Sequence, residues 1–159
     1  QAALPGGRKL WRGPTVFGTD LAPQLDEAAA LAGLTPAAAM AEIAATRVRV
    51  QTIGFAPGQP YLGELPPHWA IPRQTELTPR VPVGALCLAI RQMTLFSVST
   101  PTGWRQVAQT ALRLFRPEAA VPFLLRPGDE VMFEPVDRAA YDRLLAAGPD
   151  GGAEAVALT

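Results

Sequence analysis

Proline and glycine interrupt this chain so often that they limit what it can fold into. There are 17 prolines and 14 glycines in 159 residues, nearly a fifth of the chain. Proline fixes φ and removes a donor, while glycine gives up more conformational freedom than any other residue on folding. Long uninterrupted helices are therefore unexpected outside one alanine-rich region, and short strands with turns should dominate. The densest cluster, "GFAPGQPYLG" over Gly54–Gly63, holds three glycines, two prolines and two aromatics directly after an apolar strand. Such a loop is rigid and shaped rather than slack. Loops carried on a rigid scaffold are where binding sites concentrate. A tight crossover between two strands explains these ten residues equally well, so the rest of the chain must decide.

With 48% hydrophobic and 18% charged residues, the chain suits one globular domain long enough to bury a core. Fourteen basic residues balance fourteen acidic ones, leaving no global field to attract nucleic acid or an anionic membrane. No apolar run approaches the roughly 20 residues of a membrane span, and Gln1–Gly13 lacks the apolar region of a signal peptide. Neither nucleic acid nor membrane is an expected partner. A start at Gln1 without Met suggests a processed product or a fragment. The lone cysteine, Cys87, excludes an internal disulfide framework and is consistent with a reducing, cytoplasmic location.

Along the chain, a short strand is predicted over Arg8–Arg12, followed by a Gly/Pro turn. Thr19 or Asp20 caps a helix running to Ala32 and stopped by Gly33; Thr35 caps a second, with Pro36 at its first position. Val48, Val50 and Ile53 mark a strand leading into the Gly54–Gly63 loop. Further strands are predicted at Ala85–Ile90, Thr94–Val98 and Trp104–Phe115. The turn Arg126-Pro127-Gly128-Asp129 delivers an alternating strand over Glu130–Val136. Asp137 caps a last helix to Ala147, and Gly148 closes it, leaving a mobile tail. The pattern points to a mainly β barrel or sandwich with peripheral helices. No internal repeat is present.

Most chemistries fail on residue types. One His and one Cys cannot supply a His/Cys metal cluster. Cys87, between Leu86 and Leu88, reads as a small buried hydrophobe; a nucleophilic pair would need His68, which follows Pro66-Pro67 at a surface turn. There is no G-x-S-x-G elbow, phosphate-binding P-loop or G-x-G-x-x-G. Lys9, Trp11 and Arg12 are too short a basic–aromatic run to bind nucleic acid. One constellation remains. Arg73 and Arg80 flank a Pro-rich segment, and guanidinium groups on rigid backbone receive carboxylate or phosphate bidentately. Gln92 and the Thr100–Trp104 segment add amide, hydroxyl and stacking surface. Surface ion pairs of the two arginines with Glu64 or Glu76 are the competing explanation.

The serial motifs "GFAPGQPYLGELP", "IPRQTELTPRVPVGAL", "TPTGWRQVAQTALRLFRP" and "LLRPGDEVMFEPV" resemble the subunit 1 family of allophanate hydrolase. That family includes KipI and the PxpB component of 5-oxoprolinase. Its members typically read G-F-x-P-G-F-P-Y-L-G-G-L-P, then P-R-x-x-x-P-R-x-x-V-P-x-G-S-V, G-x-Q-T-G-I-Y-P, S-P-G-G-W and G-R-T-P-x-x-L-F-x-P. The resemblance runs from about Val16 to Leu145. It implies a cyclophilin-like β-barrel over residues 16–147, with an N-terminal extension at 1–15 and a flexible tail at 148–159. It also implies a carboxyltransferase domain within a heteromeric hydrolase. The partner would be a subunit 2 protein of the KipA/PxpC type, joined by a PxpA-like subunit. The complex would hydrolyse a small carboxylated amide such as 5-oxoproline with ATP, no cofactor being held by this chain. The alternative within the family is a KipI-like inhibitor that binds a histidine kinase. No catalytic residue or general base is implied.

Carried over position by position, the resemblance implies a substrate site of Phe55, Pro57, Gly58, Tyr61, Arg73, Arg80, Gln92, Pro101, Gly103, Trp104 and Thr110, with Pro60 and Gly63 also matching. Several positions depart. Gln59 stands where Phe is usual, Glu64 where Gly is usual, Thr102 replaces a glycine and Gln109 replaces the arginine of G-R-T-P. Ile90–Ser97 keeps only the glutamine of G-x-Q-T-G-I-Y-P. These changes fall around the expected pocket, whereas the core strands keep their pattern.

Overall fold

A computed structural model describes residues 6–120 and 122–158, which form ten strands and three α-helices. The strands are β1 (Lys9–Val16), β2 (Val48–Ile53), β3 (Pro60–Gly63), β4 (Thr78–Val81) and β5 (Ala85–Ala89). They continue with β6 (Gln92–Leu95), β7 (Thr100–Thr102), β8 (Arg105–Thr110), β9 (Glu130–Pro135) and β10 (Glu154–Ala157). The helices are α1 (Leu25–Leu31), α2 (Pro36–Ala45) and α3 (Arg138–Ala147). Seven strands follow one another as β1-β8-β5-β6-β3-β2-β9, and a parallel pairing of β9 with β1 closes them into a barrel. The expected mainly β, cyclophilin-like barrel with peripheral helices is therefore the fold. No single described helix is long and apolar enough to cross a membrane.

Capping chemistry sets the helices where the sequence allows it. The Thr35 hydroxyl accepts from Ala38 N–H at 3.1 Å, with Pro36 at the first helical position, and Asp137 Oδ1 accepts from Ala140 N–H at 2.8 Å. The expected helix from Thr19 to Ala32 is instead a 3-10 turn at Thr19–Leu21 followed by α1. Pro23 explains the break, since it lacks an N–H and pushes Ala22 out of helical conformation.

Strand β5 is buried at every position, which an alternating half-exposed strand could not be. Successive side chains point to opposite faces, so both faces must be covered. On one face Leu86 and Leu88 join the main core with Leu62, Met93, Val107 and Phe133, against which α1 and α2 seat Ala28 and Ile43. On the other, Ala85 and Cys87 meet Val81, Phe96 and Trp104, next to the two-stranded ribbon formed by β4 and β7. Cys87 is fully buried there, and desolvation pushes its thiol well above the ordinary value.

The two chain ends differ from expectation. Residues 1–5 lie outside the described residues, but residues 9–15 of the expected extension belong to β1, which pairs with three strands. Where a flexible tail is expected, β10 lies antiparallel to β1, Lys9 opposite Ala157 and Arg12 opposite Glu154. The approach is tight at Gly151, whose φ is +54°; a Cβ there would lie 2.4 Å from the Ala111 carbonyl carbon. The short, mostly small and exposed side chains of β10 carry no local sign of this pairing, because backbone hydrogen bonds to a distant strand supply it.

Candidate functional site

The loop that begins at Gly54 leads into β3, and the register across β3, β6 and β5 builds a wall from it. Tyr61 lies opposite Thr94, which lies opposite Cys87. The next row, Leu62–Met93–Leu88, faces the main core. Alternation thus sends Tyr61 and Thr94 to the side where the β4–β7 ribbon stands off the barrel. Between them is a cleft of about 490 Å³.

Aromatic side chains form its walls. Tyr61 and Trp104 meet edge to face with ring centroids 5.8 Å apart, and Phe96 and Phe55 complete the apolar lining. Phe55 sits at the mouth, 72% exposed and at φ +72°. Non-glycine residues in that conformation gather at functional loops. The floor is polar: Gln59, only 1% exposed, donates from Nε2 to Thr94 Oγ1 at 3.2 Å, and Thr94 Oγ1 donates to the Pro60 carbonyl at 2.9 Å.

The rim holds Arg73, placed by its neighbours. Gln74 N–H donates to the Gly103 carbonyl at 2.8 Å, and Arg105 Nη1 donates to the Pro72 carbonyl at 2.6 Å. The Gln74 side chain accepts from Gln24 Nε2 at 2.6 Å and donates to Thr78 Oγ1 and the Trp104 carbonyl. Gln24 in turn accepts from the Gln106 N–H on β8 at 2.7 Å. An amide network therefore ties the rim to the barrel.

The titratable groups lining the cleft are Tyr61 and Arg73. Burial pushes the Tyr61 phenol above its ordinary value, so it stays neutral and can donate a hydrogen bond at neutral pH. Neither a carboxylate nor an imidazole lines the cleft. His68 is occupied elsewhere, its Nε2 2.6 Å from Glu42 Oε2 on α2. Among the described residues no group of three or more His, Cys, Asp or Glu could hold a metal ion.

Of the residues expected to bind substrate, Phe55, Tyr61, Arg73, Pro101, Gly103 and Trp104 line this cleft. Pro57 and Gly58 lie behind Phe55 in a separate depression with Phe123. Arg80 lies exposed on β4 and borders no part of the cleft. Gln92 sits at the turn end of β6, opposite Gly63, and donates to Gln51 Oε1 at 2.8 Å. Thr110 is buried and donates to the Pro14 carbonyl at 3.1 Å. The competing ion pairs of the two arginines do not form: Glu64 pairs with Arg91 at 3.4 Å, and neither Arg73 nor Arg80 has an acidic partner among the described residues. Gln59, Gln74, Leu77, Thr94 and Phe96 also line the cleft, although no sequence motif marks them as binding residues, as does Thr102 from the Thr100–Trp104 segment. Gln59 and Thr102 also stand out in the sequence as departures from the family pattern.

The model of the family described as carboxyltransferase domain, subdomain C and D, matches residues 1–125. The B component of 5-oxoprolinase from Bacillus subtilis (strain 168) is 34% identical over 134 residues, covering 84% of this chain and 56% of that protein. The chain thus spans about half the length of the curated relatives it matches. Among solved structures, the conserved uncharacterized protein PH0987 from Pyrococcus horikoshii superposes with a TM-score of 0.77 at 30% identity, over 82% of this chain and 60% of that one. The Kluyveromyces lactis urea carboxylase shares the fold at 17% identity and a TM-score of 0.76, over 95% of this chain and 16% of that one. With the barrel, the serial motifs and these likenesses in agreement, the chain belongs to the carboxyltransferase subdomain C and D family, in the group of 5-oxoprolinase component B (PxpB) and allophanate hydrolase subunit 1.

Proposed function

We propose that this protein is the subunit 1-type component of a 5-oxoprolinase- or allophanate hydrolase-like complex. It supplies the cleft that holds a small carboxylated amide while a subunit 2 partner of the KipA/PxpC type, with a PxpA-like subunit, completes the reaction. The observation that carries this reading is the pairing of Arg73, a guanidinium with no acidic partner among the described residues, with aromatic walls and an amide floor. Arg73 receives the carboxylate, the edge-to-face Tyr61–Trp104 pair offers an aromatic wall to the flat amide, and the neutral Tyr61 phenol donates to it. A cleft lined by neither carboxylate nor imidazole binds and orients but has no general base of its own. That supports a non-autonomous subunit, with ATP handled elsewhere in the assembly. Exposed Phe55 and Leu77, 72% and 66% accessible, stand at the cleft mouth and suit closure by the partner.

The test is affinity capture of the full chain from its native lysate, followed by assays of ATP-dependent 5-oxoproline hydrolysis on the recovered complex. Arg73→Ala is expected to lower kcat/KM by about 10- to 100-fold, with Arg73→Lys intermediate because a point charge replaces a bidentate fork. Unchanged activity in Arg73→Ala would remove the clamp. Recovery of a histidine kinase with no subunit 2 partner would make the protein a KipI-like regulator instead.

A further inference from the structure

We propose that Gln59 makes the cleft selective for ligands presenting an amide N–H, an inference that rests on the carboxylated-amide reading above. The Thr94 hydroxyl has one proton, and it is committed to the Pro60 carbonyl at 2.9 Å. Thr94 Oγ1 can therefore only accept from Gln59, which obliges the Gln59 amide to turn its NH₂ toward Thr94, at 3.2 Å. The amide orientation is thus fixed by the network, and Oε1 is left as an acceptor. That oxygen is buried and has no hydrogen-bond partner among the described residues, on a residue that is 1% exposed and lines the cleft floor. A buried acceptor without a partner is costly, and the cost is relieved when a donor arrives. The donors closest in kind along the cleft do not serve it: Gln74 Nε2 is spent on Thr78 and the Trp104 carbonyl, and Arg73 stands on the rim. A lactam or open-chain amide with its carboxylate on Arg73 brings an N–H to this oxygen. An ester or lactone of the same shape brings a second acceptor and leaves Oε1 unsatisfied. Phenylalanine, the usual residue here in the family pattern, has no such preference.

The test is calorimetric titration of the full chain, alone and in its complex, with 5-oxoproline and with its lactone isostere, in which ring oxygen replaces N–H. The wild type is expected to favour the lactam by about tenfold or more. Gln59→Met should collapse that gap, whereas Arg73→Met should weaken both ligands equally. Should Gln59→Met fail to fold, Thr94→Val serves instead: it frees the amide to rotate and should narrow the gap. Equal affinity of the wild type for the two ligands would overturn the role of Gln59 and leave the carboxylated-amide reading standing. Binding of neither ligand, alone or in the complex, would remove both.

Discussion

Ile90 and Arg91 are consecutive residues with positive φ, +45° and +66°, and together they turn β5 into β6. That is the backbone of a two-residue hairpin turn, normally written Asn-Gly, and L-residues adopt it at a cost of roughly 1–2 kcal/mol each. Arg91 has compensation: its Nε donates to the Leu65 carbonyl at 2.9 Å and its guanidinium pairs with Glu64. Ile90 is β-branched and 49% exposed, with only its backbone N–H engaged, on the Ile71 carbonyl. Ile90→Asn is therefore expected to stabilise the protein by about 1 kcal/mol, read as a higher midpoint in urea or heat. An unchanged or lower midpoint would mean that the isoleucine contributes contacts beyond its backbone. The same turn shows why part of the candidate site is illegible in the sequence. Ile-Arg carries no turn signal, so periodicity predicts the strand at Thr94–Val98 rather than Gln92–Leu95. Gln92, expected in the pocket as the glutamine that the family pattern keeps, sits instead at the turn, and Thr94 faces the cleft.

Among elements, the sharpest departure is β10. Local chemistry around it is readable, from the Asp137 cap to the glycine after α3. The pairing with β1 is not, since it depends on backbone hydrogen bonds across more than 140 positions of sequence. A nearby clip holds the same strand: buried Asp129 accepts from Lys9 N–H at 2.9 Å and from Arg126 N–H at 3.1 Å. If the segment after Gly148 is seated as described, Gly151→Ala must force Cβ against the Ala111 backbone at φ +54°. We expect a loss of about 2–4 kcal/mol, from left-handed strain plus overpacking. Gly54→Ala, which meets nothing within 4 Å, is the neutral control. A tail free of the barrel would make the two variants indistinguishable in thermal unfolding.

At the scale of the whole molecule, packing of the β4–β7 ribbon against the outer face of the barrel is what buries Cys87, and it has a pH signature. The folded thiol is held above its ordinary value of 9.0 by desolvation, so above that pH the unfolded chain loses a proton that the folded chain retains. Stability is accordingly full below pH 9 and falls as pH rises, by up to about 1.4 kcal/mol per pH unit. Tyr61 acts in the same direction above its ordinary value of 10.0. Urea midpoints measured from pH 7.5 to 10.5 should show the decline, and Cys87→Ala should flatten its first part while lowering stability overall. An equal decline in that variant would assign the effect to other groups.

What the sequence determined by itself is what neighbouring residues decide. Thr35, Pro36 and Asp137 set helix starts through their own side chains, and Leu86-Cys87-Leu88 announced a buried strand because no polar side chain interrupts it. Family membership was legible for the same reason, as runs of contiguous motif. The cleft belongs to tertiary structure alone. Tyr61, Arg73, Thr94 and Trp104 converge through strand register and a ribbon folded across the barrel. Which of Gln92 and Thr94 faces the cleft turned on a hairpin whose residues do not advertise it. Whether Gln59 had a partner depended on a hydroxyl 35 positions away, because hydrogen bonds are settled by where donors and acceptors meet in space.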